Sequence, residues 1–92
     1  MARIYHKGKV WDVKYYNDNL SSKHKRFHAL VYGKMEDFNL EESIVLEYKG
    51  RFYRSTGFGI RESISNSVEL NIGGLFDDTR DIKIKLITNE KI

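Results

Sequence analysis

Apolar and polar residues alternate through much of this chain. Between Lys9 and Tyr16, Trp11, Val13 and Tyr15 fall on one face while Asp12 and Lys14 fall on the other. Val68, Leu70 and Ile72 alternate with Glu69 and Asn71, and Ile82, Ile84 and Leu86 alternate with Lys83 and Lys85. A period of two sends successive side chains to opposite faces of a strand, so each segment predicts a half-buried strand. Ile44-Val45-Leu46 predicts a further buried strand. The segments His6-Lys7-Gly8-Lys9-Val10-Trp11 and Tyr48-Lys49-Gly50-Arg51-Phe52-Tyr53 both run aromatic or His, Lys, Gly, basic, apolar, aromatic. Glycine supplies the positive φ of a two-residue hairpin turn, so both predict tight turns with cationic tips. Ser65-Asn66-Ser67 predicts a third turn, and Gly73-Gly74 through Asp81 a longer loop.

Residues 21–48 carry two readings. As a strand, Phe27, Ala29 and Val31 share one face, with His28, Leu30 and Tyr32 opposite. As a helix capped by Ser21 or Ser22, Phe27, Leu30, Val31, Met35 and Phe38 form a stripe at i, i+3, i+4 spacing. Gly33 within that stripe costs a helix about 1 kcal/mol relative to alanine, and the β-branched and aromatic content of 26–32 favours the strand. Asn39 followed by Glu41 and Glu42 fits one short helical turn. The sum is roughly six to eight short antiparallel strands with no βαβ alternation. The expected fold is all-β, a small barrel or sandwich with at most one short helix. The alternative is α+β with a helix in 21–38.

At 92 residues the chain is expected to be one domain with one modest core. It has no cysteine, which excludes a disulfide scaffold, a Cys-ligated zinc site and a thiol nucleophile. The longest apolar run, Ala29-Leu30-Val31-Tyr32, is far short of the ~20 residues of a membrane span. The opening residues hold no apolar signal core. No membrane association is expected, and the expected location is the cytoplasm, that of the host cell if the protein is phage-encoded.

The formal charge of +3 hides an asymmetry. Residues 1–34 carry Arg3, Lys7, Lys9, Lys14, Lys23, Lys25, Arg26 and Lys34 against only Asp12 and Asp18. Residues 35–50 reverse the sign with Glu36, Asp37, Glu41, Glu42 and Glu47 against Lys49, and Arg51, Arg54 and Arg61 restore it. Two basic blocks folded onto one face would attract a phosphate backbone and release its counterions. Aromatics interleave with these cations: Tyr5, Trp11, Tyr15 and Tyr16 among Lys7, Lys9 and Lys14, Phe27 beside Lys25 and Arg26, and Phe52 and Tyr53 between Arg51 and Arg54. Aromatic faces on a β-surface stack on unpaired bases while Lys and Arg follow the phosphates. Large aromatics at alternating strand positions also build cores. Tyr16, opposite Trp11 in a regular strand, is the stacking candidate, with Tyr5 and Tyr53 behind it. The densest cationic run is Ser22-Lys23-His24-Lys25-Arg26-Phe27-His28, a phosphate-contact candidate.

Val13-Lys14-Tyr15-Tyr16-Asn17 resembles the Val-Lys-Trp-Phe-Asn strand of cold-shock domains, which are small nucleic-acid-binding barrels. Lys25-Arg26-Phe27-His28-Ala29-Leu30 is loosely similar to the Lys-Gly-Phe-Gly-Phe-Ile strand that follows it there. Both of that motif's glycines are missing here, the intervening loop is longer, and no Val-Phe-Val-His strand follows. The likeness is confined to these two segments.

Enzyme readings are thin. His24 and His28 on one strand face would stand about 13–14 Å apart, too far to ligate one ion. A ribonuclease-like site would need His28 or His24 beside a carboxylate such as Glu36. Asp77, Asp78 and Asp81 lack the spacing of a calcium loop and read as a turn begun by Asp. No metal, cofactor or catalytic residue is expected.

The leading expectation is a non-catalytic module that binds RNA or another single strand. Lys7, Lys9, Lys23, Lys25, Arg26, Arg51 and Arg54 would contact phosphates and Tyr16 would stack. The other expectation is an accessory or inhibitor protein. Lys, Ile, Asn and Tyr make up a third of the chain, the bias of an AT-rich genome, which fits a phage. Such a protein would cover a host protein through the acidic block 36–47 or an unpaired edge strand, with RNA or without it. An edge strand would also permit a homodimer.

Overall fold

The computed structural model describes residues 2–87. Among these residues eight strands form one antiparallel sheet, curled into a half-barrel and accompanied by a single short α-helix. The elements are β1 (Ala2–His6), β2 (Lys9–Asn19), β3 (Arg26–Tyr32), β4 (Val45–Tyr48), β5 (Arg51–Arg54), β6 (Gly57–Ile64), β7 (Ser67–Gly73), β8 (Phe76–Asp77) and α1 (Thr79–Ile87). Their lateral order is β6-β7-β3-β2-β1-β4-β5-β8. The all-β barrel-like fold expected from the alternation is therefore the one observed. Residues 21–38 hold strand β3 and one 3-10 turn at Met35–Asp37, in place of the alternative helix.

The two cationic hairpins form as their sequences require. Lys7 and Gly8 have φ of 53° and 75°, and Lys49 and Gly50 have φ of 50° and 77°. Positive φ at both central positions is the signature of a type I′ turn, whose twist matches that of the strands it joins. His6↔Lys9 and Tyr48↔Arg51 close the two ladders.

Strand β2 serves both halves of the sheet. Lys9–Asp12 pair with β1, whereas residues from Val13 onward pair with β3. The change coincides with a bulge: Val13 faces Val31 and Tyr15 faces Leu30, leaving Lys14 as an extra residue. Bulges bend a strand and increase its twist, which turns the flat sheet into a curl. The interior holds Ile4, Phe27, Ala29, Val31, Ile44, Leu46, Val68, Leu70 and Ile72, each fully buried. His6 is buried among Trp11, Phe38 and Phe58. Its Nδ1–H donates to the Ser43 carbonyl and its Nε2 accepts the Asn39 N–H, both at 3.0 Å.

Two expectations are corrected. Tyr15 does not join Trp11 and Val13 on the inner face. The extra residue at Lys14 sends it outward, 67% exposed, and turns Tyr16 inward. In addition, 82–86 is part of α1 and not a strand, and the expected loop 73–81 contains β8 and the start of that helix. Asp77 Oδ1 accepts the Thr79 N–H at 3.0 Å and the Asp78 carbonyl accepts the Ile82 N–H at 3.1 Å, which opens the helix. On a strand Ile82 and Ile84 would share a face; a helix separates them by about 200°. Accordingly Ile82 is fully buried and Ile84 is 52% exposed. Ile82 packs with Val45, Phe52 and Tyr5 on the outer side of β1-β4-β5. This apolar outer patch needed a cover, and burial there decided the helix over a three-residue alternation.

Candidate nucleic-acid interface

The helix covers only one half of the sheet, β1-β4-β5. The outer face of the other half, β2-β3-β7-β6, has no element over it among the described residues. Strict alternation sets its composition. In β3 the inward residues Phe27, Ala29 and Val31 are buried, leaving Arg26, His28, Leu30 and Tyr32 outward; in β7 the outward residues are Ser67, Glu69, Asn71 and Gly73. Cross-strand registers arrange them in rows: Asn17–His28–Asn71–Gly59, and beside it Tyr15–Leu30–Glu69–Glu62. Tyr32 is 65% exposed, and Lys14 Nζ lies 3.4 Å from its ring centroid, a cation–π contact.

Two concavities follow each other along this face. One, of about 250 Å³, is lined by Tyr15, Asn17, His28, Leu30, Arg61 and Glu69. The other is an open cleft of about 680 Å³ between the β2–β3 loop and the β7–β8 link. Its walls include Lys23, His24, Lys25 and Arg26 on one side, and Gly57, Gly73, Gly74 and Phe76 on the other. The loop is fixed there by the Leu75 N–H, which donates to the Lys25 carbonyl at 3.3 Å. Glycine walls let a ligand approach the backbone closely, and four side chains able to carry positive charge face them. His28 beside Asn71 connects the two concavities into one tract.

The expected contact residues divide into three groups. Lys23, Lys25 and Arg26 come together in the cleft. Lys7 and Lys9 lie at the opposite end of the 11-residue strand β2. Arg51 and Arg54 hold the entry to α1: Arg51 Nε is 2.6 Å from Asp77 Oδ2, and Arg54 Nε is 2.9 Å from Asp78 Oδ2. The hydroxyl and backbone N–H of Thr79, with Arg51, hold the Asp77 carboxyl below its ordinary range, and Asp77 in turn raises Arg51. Tyr16 is 39% exposed, with its ring flat against Phe27 (5.3 Å, 15°) and edge-on to Tyr48. The Tyr48 hydroxyl donates to Asp18 at 2.5 Å; this bond, and a second one with Tyr16, push its pKa up.

Sequence reasoning counted Tyr15 among the interleaved aromatics without singling it out, and missed Tyr32, Asn71 and Phe76. The β3 alternation placed Tyr32 outward, and strand pairing brings it beside the others. Tyr15 was hidden by the bulge. The ribonuclease-like pairing does not assemble: His28 lies near the start of β3, and Glu36 lies on the 3-10 turn beyond its far end, with about 13 Å of strand from His28 to Tyr32 alone. Among the described residues no group of three or more His, Asp or Glu side chains is placed to hold a metal ion. Nor is any helix among them long and apolar enough to cross a membrane.

No protein-family model matches this chain, and neither does any curated protein or solved structure. Of the segments that resemble cold-shock strands, Val13–Asn17 lies on β2 and Arg26–Leu30 on its antiparallel neighbour β3, with Lys25 in the loop before it.

Proposed function

We propose that this protein is a non-catalytic module that binds single-stranded nucleic acid, RNA in the first place, along the open face of β2-β3-β7-β6. The observation that carries the reading is one tract in which exposed Tyr15 and the amide side chains of Asn17 and Asn71 run into a cleft walled by Lys23, Lys25 and Arg26, with Tyr32 exposed on the same outer face. In this reading the cleft cations hold phosphates, Tyr15 and Tyr32 stack on bases, and Asn17, His28 and Asn71 offer donors and acceptors to base edges and the 2′-hydroxyl. A splayed single strand suits such a face. Among the described residues the one α-helix is packed on the other half of the sheet, and none of them presents a helix to a major groove. A cytoplasmic setting goes with this reading.

The test is fluorescence anisotropy with labelled single-stranded RNA and DNA at two salt concentrations. The expected result is micromolar or tighter affinity that falls steeply with salt and is lost in Lys25→Ala/Arg26→Ala. Salt-independent binding, or no effect of that double substitution, overturns it. A second reading, a phage-type protein that covers a basic protein partner, draws support from Met35 and Leu40, 54% and 52% exposed among the exposed Glu36, Glu41 and Glu42. A partner retained after nuclease treatment would favour it.

A further inference from the structure

Among the described residues strand β6 ends the sheet and pairs only with β7. The ladder with β7 contains a second bulge: Ile60 faces Leu70 and Glu62 faces Glu69, leaving Arg61 as the extra residue. The bulge sets which side each residue occupies. Gly59, Glu62 and Ile64 pair with outward residues of β7, while Ile60 and Ser63 pair with the buried Leu70 and Val68. Arg61 is outward too, 3.9 Å from Glu69. Two adjacent residues of opposite charge therefore stand on the same face of one free edge. Glu62 also stands directly opposite Glu69, a like-charge pair that is unfavourable unless cations are supplied.

We propose that this edge pairs antiparallel with the same edge of a second copy of the chain, in the register that sets Arg61 opposite the second copy's Glu62. A two-fold axis normal to the sheet then places Ile60 opposite Ser63 and Gly59 opposite Ile64. Every pair matches inward with inward or outward with outward. In an unbulged strand this register would set inward residues against outward ones, because adjacent residues face opposite sides. With the bulge it is the register that keeps faces matched straight through positions 60–63. Registers centred on Arg61 or on Glu62 oppose like charges and mismatch their neighbours. The two bulges meet as two residues against two, so neither leaves an unmatched residue at the seam. Ile64, 62% exposed, would lie over a glycine with open space at its Cβ position. The pairing joins the open faces of two copies into one surface. It does not depend on the nucleic-acid reading, because both charges and register belong to the edge itself.

The test is sedimentation equilibrium without nucleic acid, together with amide hydrogen exchange at low and high protein concentration. The expected result is a species of twice the 10.9 kDa chain mass, with protection of 59–64 that rises with concentration. Arg61→Glu and Glu62→Arg should each weaken self-association at least tenfold, and the combined Arg61→Glu/Glu62→Arg variant should restore it. Circular dichroism checks that each variant is folded; an unfolded single variant leaves the concentration-dependent exchange of the parent chain to decide. A monomer at all concentrations, a dimer indifferent to both single changes, or failure of the combined variant to recover would each overturn the proposal. A parent chain that dimerises but binds no RNA would overturn only the functional reading.

Discussion

Asp78 holds Arg54 at 2.9 Å where β8 gives way to α1, and both side chains are largely shielded, 19% and 29% exposed. The pair fixes the start of the helix to β5, so Arg54 is placed to hold architecture. Arg54→Ala is expected to lower stability by about 1–2 kcal/mol and to leave RNA affinity within about twofold. A double-mutant cycle with Asp78→Ala should give a coupling of roughly 1 kcal/mol. Denaturant unfolding and anisotropy on the same samples check both halves.

Tyr15 and Tyr16 are neighbours in sequence with opposite roles. Tyr15→Ala removes an exposed ring and should change stability by no more than about 0.5 kcal/mol. The same change should weaken single-strand binding by the roughly 1–3 kcal/mol of one base–aromatic stack. Tyr16→Ala removes the ring that lies on Phe27 and should do the reverse, lowering the melting temperature with little effect on affinity. If the two variants behaved alike, the bulge at Lys14 would be misplaced.

Alkaline stability should depend on Tyr5. Its hydroxyl donates to Glu47 at 2.6 Å, and burial, then this bond, push its pKa up to about 12 from 10.0. Between these values the unfolded chain has released a proton that the folded chain keeps. The contribution is therefore complete below pH 10 and is lost as pH rises towards 12. Asp77 acts in the opposite direction. Its carboxyl is lowered from 3.8, so its contribution is present above that value and is lost as pH falls through the folded one. Urea midpoints across pH, with Tyr5→Phe flattening the alkaline limb and Asp77→Asn the acid limb, measure both.

Two glycines with positive φ should respond unequally to alanine. Gly50 has φ of 77° and open space at its Cβ position, so Gly50→Ala should cost only the conformational term of about 1–2 kcal/mol. At Gly74, with φ of 59°, a Cβ would stand 1.8 Å from Thr56 Oγ1. Gly74→Ala adds this collision and should cost about 3 kcal/mol or more. Thr56→Ala should recover part of that loss, as thermal melts of the three variants would reveal.

Much of this architecture is written locally. The Lys-Gly turns specify their hairpins because a two-residue turn needs positive φ, and Val68, Leu70 and Ile72 specify β7 because one side of it is fully buried. The failures share a cause: each depended on a neighbour distant in sequence. Lys14 counts as one more strand residue until Val31 and Leu30 supply the register. Ile82 and Ile84 alternate as a strand would until the apolar patch of Tyr5, Val45 and Phe52 demands a cover that a single Ile can reach from a helix. At the candidate site the Lys23–Arg26 run was legible as charge. Its glycine walls come from β6 and β7, and no local pattern announced them.

The division of the sheet at Lys14 also separates what keeps the molecule folded from what it displays. Outward positions of β2-β3-β7-β6, among them Tyr15, Asn17, His28, Leu30 and Asn71, contribute no side chain to either buried cluster. A library randomised at these positions should therefore retain the hairpins, the interior and the helix brace while its exposed face changes. The fold is in this sense a display scaffold, in which new binding specificity can be selected with little loss of thermal tolerance.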